Sequence, residues 1–352
     1  MAYNYEVTVP FLLDWFDYNA RILPWRENPK PYYVWISEIM LQQTRVEAVK
    51  GYFDRFIEAL PDVEALAKVD EERLLKLWEG LGYYNRVRNM QKAAIKIMEE
   101  YRGEIPADYK KLLDLPGIGT YTAGAVASIA YQIPVPAVDG NVLRVTKRMA
   151  CSFDDITKDS VKKELWQELY DIMPQDRPGD FNQSLMELGA TVCLPNGKPL
   201  CDKCPVMHLC KAFKEDKIMQ IPVKPVKKER RIEERTILLI EYQDKFTLHK
   251  RLERGLLAGL WELPSLDARL RPGETAERLK EMGVELAEIT PLGEAKHIFS
   301  HVEWHMVGYH VRAGRLDLSR MEEKKFILAG KDEIDEKYSI PNAFSSYIKQ
   351  IP

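Results

Sequence analysis

A stretch of proline and dense charge, Ile221-Pro-Val-Lys-Pro-Val-Lys-Lys-Glu-Arg-Arg-Ile-Glu-Glu-Arg235, divides this sequence into two parts with different patterning. Such a segment packs poorly into a core and reads as an interdomain linker. The chain has 352 residues, more than a single hydrophobic core usually serves, so two domains are expected. Before the linker, residues 11–213 read as nearly all helix. Pro31 opens an apolar segment in which Val34, Glu38, Leu41 and Arg45 share one helical face, and helical periods recur over 48–59, 71–79, 86–101 and 160–172. After it, residues 236–242 and 246–251 read as strands joined by a short turn. Val302, Trp304 and Met306 alternate with Glu303, His305 and Val307. The expected fold is therefore multi-domain: an all-α domain over 1–220, a linker over 221–235, and an α+β domain over 236–352.

Apolar residues make up 45% and charged residues 30%, a mixture that can bury a core. The net charge of −3 implies no global attraction to nucleic acid, although a local basic face would suffice for binding. Residues 1–10 carry no targeting pattern. The longest apolar run, 123–130, is too short for a bilayer. A soluble, cytoplasmic, monomeric protein with no membrane association is expected. In that compartment four cysteines between Cys193 and Cys210 suit a metal better than disulfides, and Cys151 reads as a small buried hydrophobe.

Leu115-Pro-Gly-Ile-Gly-Thr120 lies between two helical segments. Gly117 and Gly119 allow a tight turn whose backbone N–H groups face outward at a helix start, a nest for one DNA phosphate. A packing role for both glycines stays open. The small-residue helix Ala123-Gly-Ala-Val-Ala-Ser-Ile-Ala130 follows, and then Asp139 in Pro136-Ala-Val-Asp-Gly-Asn141. An Asp before Gly is ordinarily a turn residue. Twenty positions after Gly119 and beyond one helix, however, it can return to the mouth of the hairpin. This arrangement resembles the helix-hairpin-helix superfamily of base-excision DNA glycosylases, which implies a six-helix barrel over about 30–137 with the hairpin at 115–120, and a cluster region formed by 1–29 plus 138–220. It also implies that Asp139 stabilises positive charge developing on the deoxyribose.

Cys193, Cys201, Cys204 and Cys210 are spaced C-x7-C-x2-C-x5-C, one close pair flanked by two singles. Four thiolates suit zinc or an iron–sulfur cluster. The superfamily resemblance implies a [4Fe–4S] cluster, with one extra residue in the first gap of this chain, inside a Pro/Gly loop.

Glu38, in Trp35-Ile-Ser-Glu-Ile-Met-Leu-Gln-Gln-Thr44, is a lone carboxylate on an apolar stripe. It is either a salt-bridged structural group or a general acid kept protonated by desolvation. Adenine leaves poorly from a nucleoside unless N7 is protonated, so an adenine glycosylase needs such an acid. The runs Leu23-Pro-Trp-Arg26, Met40-Leu-Gln-Gln-Thr-Arg-Val46, Trp78-Glu-Gly-Leu-Gly-Tyr-Tyr84, Ala137-Val-Asp-Gly-Asn-Val142 and Glu187-Leu-Gly-Ala190 together resemble the MutY family of adenine DNA glycosylases over residues 11–213. That resemblance implies Glu38 as acid and later base, with Asp139 facing the sugar and Tyr121 and Asn141 hydrogen-bonding around it. Trp25, Arg26, Leu41 and Glu187 would line the pocket of an extruded adenine. Gln43, Thr44, Leu81 and Tyr83 would enter the duplex around the opposite base, with core packing open for Leu81 and Tyr83. Relatives with strand-cleaving activity carry a lysine where this chain has Tyr121. A phenol cannot form an imine, so a monofunctional enzyme is expected. A DNA-trapping lysine of some members is replaced here by Leu143.

In the C-terminal part, Gly259-Leu-Trp-Glu-Leu-Pro-Ser265 and Arg271-Pro-Gly-Glu-Thr-Ala-Glu-Arg-Leu-Lys-Glu-Met-Gly283 resemble a Nudix fold without the clustered carboxylates that hold Mg²⁺ for hydrolysis. The likeness to the MutY family implies instead that Phe299, Ser300 and His301 contact 8-oxoguanine. The expected partner is double-stranded DNA containing adenine opposite 8-oxoguanine or guanine. A thymine or other mismatch glycosylase of the same superfamily is the alternative; a non-catalytic damaged-DNA binder is a second, which the presence of both Glu38 and Asp139 argues against.

Overall fold

The computed structural model describes residues 3–223, 225, 229–323 and 325–351. The helices of the first part are α1 (Val9–Asn19), α2 (Pro24–Glu27), α3 (Pro31–Leu41), α4 (Val46–Ala59), α5 (Val63–Lys68), α6 (Glu71–Leu77), α7 (Asn85–Tyr101), α8 (Tyr109–Leu113), α9 (Thr120–Ala125), α10 (Gly140–Ala150), α11 (Asp159–Asp171), α12 (Pro178–Thr191) and α13 (Lys211–Lys214). A wider-wound turn, Val126–Ala130, continues α9. Two compact units result: Met1–Val69 with Asn85–Val226, and Asp70–Tyr84 with Lys227–Pro352. A division at 220 does not anticipate the second of these pairings, in which α6 and the turn after it fold with the C-terminal part.

In the first unit, α3 begins where Pro31 presets the first helical turn. Val34 through Met40 are all buried, so α3 is a central helix rather than a surface helix with one apolar stripe. Its sequence pattern extends to Arg45, but the helix does not. Gln42 leaves helical geometry and Gln43 takes a φ of 61°, so Arg45 becomes the N-cap of α4. Residues 122–129, in α9 and its extension, are likewise wholly buried. Asp139 caps α10 by accepting the Val142 N–H at 2.7 Å, which fixes where its carboxylate can point.

The second unit is built on a mixed sheet of β1 (Arg231–Tyr242), β2 (Lys245–Lys250), β3 (Trp261–Glu262), β4 (Ser265–Leu266), β5 (Val284–Ile298), β6 (Val302–Leu316) and β7 (Phe326–Ala329). The order is β3-β2-β1-β6-β5, with β4 on β1 and β7 on β2. Among the described strands of this sheet only β1 and β6 pair in parallel, from Arg231 opposite Val302 to Glu241 opposite Arg312. Helix α14 (Pro272–Glu281) covers one face; α15 (Leu318–Glu323), α16 (Lys331–Glu336) and α17 (Ser345–Ile348) complete the unit. Ile237 and Leu239 enter one core with Trp304, Phe344 and Tyr347, while Leu238 and Ile240 enter another with Leu279 and Val311. Burial on both faces explains why β1 is a continuous apolar run instead of an alternation. Of the expected linker, residues 224 and 226–228 lie outside the described residues, and β1 already starts at Arg231. Among the described residues no helix is long and apolar enough to cross a membrane.

Candidate active site and cysteine cavity

Within the first unit a cleft of about 680 Å³ is lined by Trp25 and Arg26 of α2, Glu38 and Leu41 of α3, Gln43 and Thr44 of the turn after it, Tyr121 of α9, Asp139 and Asn141 at the start of α10, and Glu187 of α12. Ten of the residues singled out from sequence thus meet in one place, brought there from five separate helices and one turn.

Glu38 is only 6% exposed. Burial pushes its carboxyl up to about 7, with the nearby Asp139 adding to the rise, while a hydrogen bond donated by the Tyr121 hydroxyl and the charge of Arg26 oppose it. Asp139 is also raised by burial, against the pull of the Val142 N–H and the Asn141 amide, whose Nδ2 donates to Oδ2 at 2.7 Å. Two carboxyls therefore share the cleft in different settings. One is held near neutrality by desolvation; the other is wired to a helix start. Glu187 differs again: burial would raise it, but Arg21 and Arg26 outweigh that and hold it below the usual carboxylate range. Arg21 grips both of its oxygens, and Arg26 Nη2 donates to Oε2 at 2.8 Å.

Arg21, Gln42, Arg144 and Met186 also line the cleft, and reading the sequence does not single them out. Arg144, one of three buried basic residues of α10 with Lys147 and Arg148, is not a lone charge on an apolar stripe and so lacks the signal that marks Glu38. It is 6% exposed and donates to Asn141 Oδ1 at 2.9 Å, Gly189 O at 2.8 Å and Cys193 O at 2.9 Å. Gly189 itself touches Asn141: a Cβ there would lie 2.6 Å from the Asn141 Cβ. Gly189→Ala should push α10 from α12 beside Asn141, lowering stability by about 1–3 kcal/mol and slowing turnover. A variant with unchanged melting temperature and rate would show that this approach is not tight.

The hairpin turn joins α8 to α9. Gly117 has a φ of +76°, and a Cβ there would strike Asn89, so glycine is required on both counts. Gly119 has an ordinary backbone and open space where a Cβ would sit.

Leu81, Tyr83, Phe299, Ser300 and His301 belong to the second unit. Leu81 is 6% exposed and Tyr83 51%. Phe299–His301 connects β5 to β6, with Ser300 and His301 exposed and the Phe299 ring 4.9 Å from the buried Trp304. The Tyr83 and Ser300 hydroxyls lie 3.0 Å apart.

Cys193, Cys201, Cys204 and Cys210 line one small cavity beneath Arg148, Met149 and Leu188, and none is in a disulfide. The described residues contain no set of three or more His, Cys, Asp or Glu side chains gathered for a single metal ion. Four sulfurs around a shared cavity suit a multi-iron cluster, in which each thiolate meets a different iron, better than one tetrahedral zinc. Arg148 Nη1 donates to Cys193 Sγ at 3.2 Å and to Leu194 O at 2.9 Å. The donor set therefore fits a cluster. The extra residue of the first gap falls where residues 195–198 form an exposed loop tip. Cys151 is half-buried at the end of α10, its thiol facing Glu215, and not fully buried as its isolation in the sequence suggests.

Residues 36–170 match the HhH-GPD superfamily of base excision DNA repair proteins, and residues 235–350 match the NUDIX domain. The adenine DNA glycosylase of Mus musculus is 36% identical over 83% of this chain and 68% of its own length. That of Buchnera aphidicola subsp. Schizaphis graminum is 34% identical over 84% of this chain and 85% of its own. The chain belongs to the adenine DNA glycosylase family. Its first part is a helical glycosylase domain and its second a Nudix-like domain with a mixed sheet. Among solved structures, a thermostable thymine-DNA glycosylase superposes with a TM-score of 0.53 at 30% identity, covering 60% of this chain and 97% of that one.

Proposed function

We propose that this protein is a monofunctional DNA glycosylase that removes adenine mispaired with 8-oxoguanine or guanine in base-excision repair. The observation that carries the reading is Glu38, a carboxyl held near neutral pKa by burial, in the same cleft as Asp139. In its acid form Glu38 gives its proton to N7 of an extruded adenine. The C1′–N9 bond then breaks with its electron pair passing to the base, and Asp139 faces the cationic sugar left behind. Water adds to C1′ and its proton returns to the Glu38 carboxylate, leaving adenine and an abasic site. Tyr121 positions Glu38 through its hydroxyl and cannot form an imine, so the strand stays intact. Glu187, kept ionised by Arg21 and Arg26, provides an acceptor for the exocyclic amine, between the apolar surfaces of Trp25 and Leu41. Gln43 and Thr44, with Leu81 and Tyr83 of the second unit, enter the duplex; for Leu81 its burial supports a packing share in that role. Gly117 and Gly119 present backbone to a phosphate, and Phe299, Ser300 and His301 read the opposite base.

The four cysteines would hold a [4Fe–4S] cluster that ties residues 193–210 into one unit. Purified protein should contain about four iron atoms per chain, the content of one such cluster; stoichiometric zinc in their place would overturn this assignment.

The likeness to a thymine-DNA glycosylase structure favours a second reading, excision of mismatched thymine. Thymine has no N7, so Glu38 would then lack its role. Duplexes carrying adenine opposite 8-oxoguanine, adenine opposite guanine and thymine opposite guanine separate the two. Alkali-dependent cleavage at adenine, fastest opposite 8-oxoguanine, is expected; cleavage at thymine alone would refute the proposal.

A further inference from the structure

The segment Asp70–Tyr84 lies inside the stretch that matches the helical superfamily, yet it folds with the Nudix-like unit. Its polar side chains show how. Glu72 of α6 accepts from Lys250 Nζ of β2 at 2.5 Å and from Trp261 Nε1 of β3 at 2.8 Å. One turn later Lys76 Nζ donates to the carbonyls of Ile334 and Tyr338, at 3.2 and 3.1 Å. These are oxygens at and just beyond the C-terminal end of α16, where unpaired carbonyls favour a cation. The same ammonium pairs with Glu79 Oε2 at 2.6 Å, and Glu79 Oε1 accepts the Ile340 N–H at 2.6 Å. Lys76 and Glu79 side chains are 20% and 28% exposed, so this pair is largely shielded.

Beyond Glu79 the chain makes a turn that few sequences would hold unaided. Gly80, Gly82 and Tyr83 all have positive φ, 97°, 67° and 48°. For Tyr83 that conformation is strained and persists only where its surroundings impose it. Contacts within the turn and from residues 334–342 both contribute: Trp78 Nε1 donates to Gly82 O at 3.0 Å, while Asn342 Nδ2 donates to Gly80 O and Ser339 Oγ to the Tyr84 hydroxyl, both at 3.4 Å. At the end of this chain of contacts, Tyr83 meets Ser300 at 3.0 Å.

We infer that Lys76 and Glu79 are positioning residues of the lesion reader: by fixing the Gly80–Tyr84 turn against residues 334–342, they set Tyr83 against Ser300. Discrimination between 8-oxoguanine and guanine is then governed partly from within the sequence of the glycosylase domain. The inference rests on the reading of Ser300 as a reader residue.

The test uses full-length Lys76→Met, the shape-preserving Glu79→Gln, Ser300→Ala and the Lys76→Met/Ser300→Ala double variant. Single-turnover excision of adenine opposite 8-oxoguanine and opposite guanine gives a discrimination ratio for each. Lys76→Met and Glu79→Gln should lower that ratio by roughly 3- to 10-fold with the guanine-opposed rate nearly unchanged, and the double variant should be no worse than Ser300→Ala, as expected for coupled residues. A purely structural role would lower both rates together or make the two effects multiply, and either result, or an unchanged ratio, overturns the inference. If Ser300→Ala alone leaves the ratio unchanged, the reader assignment itself falls; if only the Lys76 and Glu79 variants do so, that assignment stands and the positioning role falls.

Discussion

Glu38→Gln is expected to lower single-turnover adenine excision by about 10³–10⁴-fold, the upper part of the range for general acid–base catalysis, because in the proposed mechanism one side chain serves as both acid and base. The amide keeps the shape of the carboxyl and an oxygen for the Tyr121 hydroxyl, so loss of rate should not reflect loss of fold. Stability gives an independent reading. Burial sets the folded pKa of Glu38 at about 7, above its ordinary 4.5. A group raised in this way contributes fully below about pH 4.5 and loses that contribution as pH rises through 7. Above that, the ionised buried carboxylate costs on the order of 3 kcal/mol. Glu38→Gln should therefore melt above the parent protein at pH 8, with the gap closing towards pH 5. Wild-type excision should fall as pH rises through about 7, where the acid form is lost. A variant that keeps its rate within tenfold would remove Glu38 from the chemistry. One that melts no higher at pH 8 would contradict its desolvation.

Asp139→Asn should reduce excision by about 10²–10³-fold, the cost of removing one electrostatic contact to a developing charge. The substitution is informative because Asn is as good a helix N-cap as Asp. It can still accept the Val142 N–H that starts α10. The contact from Asn141 Nδ2 would face an amide instead of a carboxylate oxygen, at a stability cost of about 1 kcal/mol. A rate loss of several orders with a nearly unchanged melting curve would support a role for the charge itself. Full activity in the folded variant would mean that the cationic sugar is stabilised by another group.

Ten residues of the cleft and the four cysteines of the second cavity are legible in the amino-acid sequence. Glu38 stands out because a carboxylate within an apolar helix is costly unless something compensates it, and that cost is a property of the residue and its neighbours in sequence. Asp139 is placed by its spacing from the Gly117–Gly119 turn, since the helical stretch that leaves the turn is followed by a non-helical segment, 132–139, long enough to bring the chain back. The strands of the second unit show in the alternation at Val302, Trp304 and Met306. Other features have no local signature. Arg21 pairs with Glu187 across 166 positions, and nothing in either segment's periodicity names the other. Arg45 falls on the helical repeat of α3, but the helix ends at Leu41, where Gln42 and Gln43 leave helical geometry. In the same way Cys151 reads as a core residue but caps a helix end.

The helical and strand-forming parts, the lone carboxylate of Glu38 on an apolar helical stripe and the grouping of four thiols follow from the sequence alone, because helical and strand periods, turn residues and close spacing are short-range properties of the chain. The meeting of Glu38 with Tyr121 and Asp139 in one cleft, and the folding of residues 70–84 with the Nudix-like unit, emerge only in three dimensions. Those outcomes depend on ion pairs such as Glu72 with Lys250, 178 residues apart in the chain, and on burial that raises or lowers a carboxyl according to what surrounds it in space.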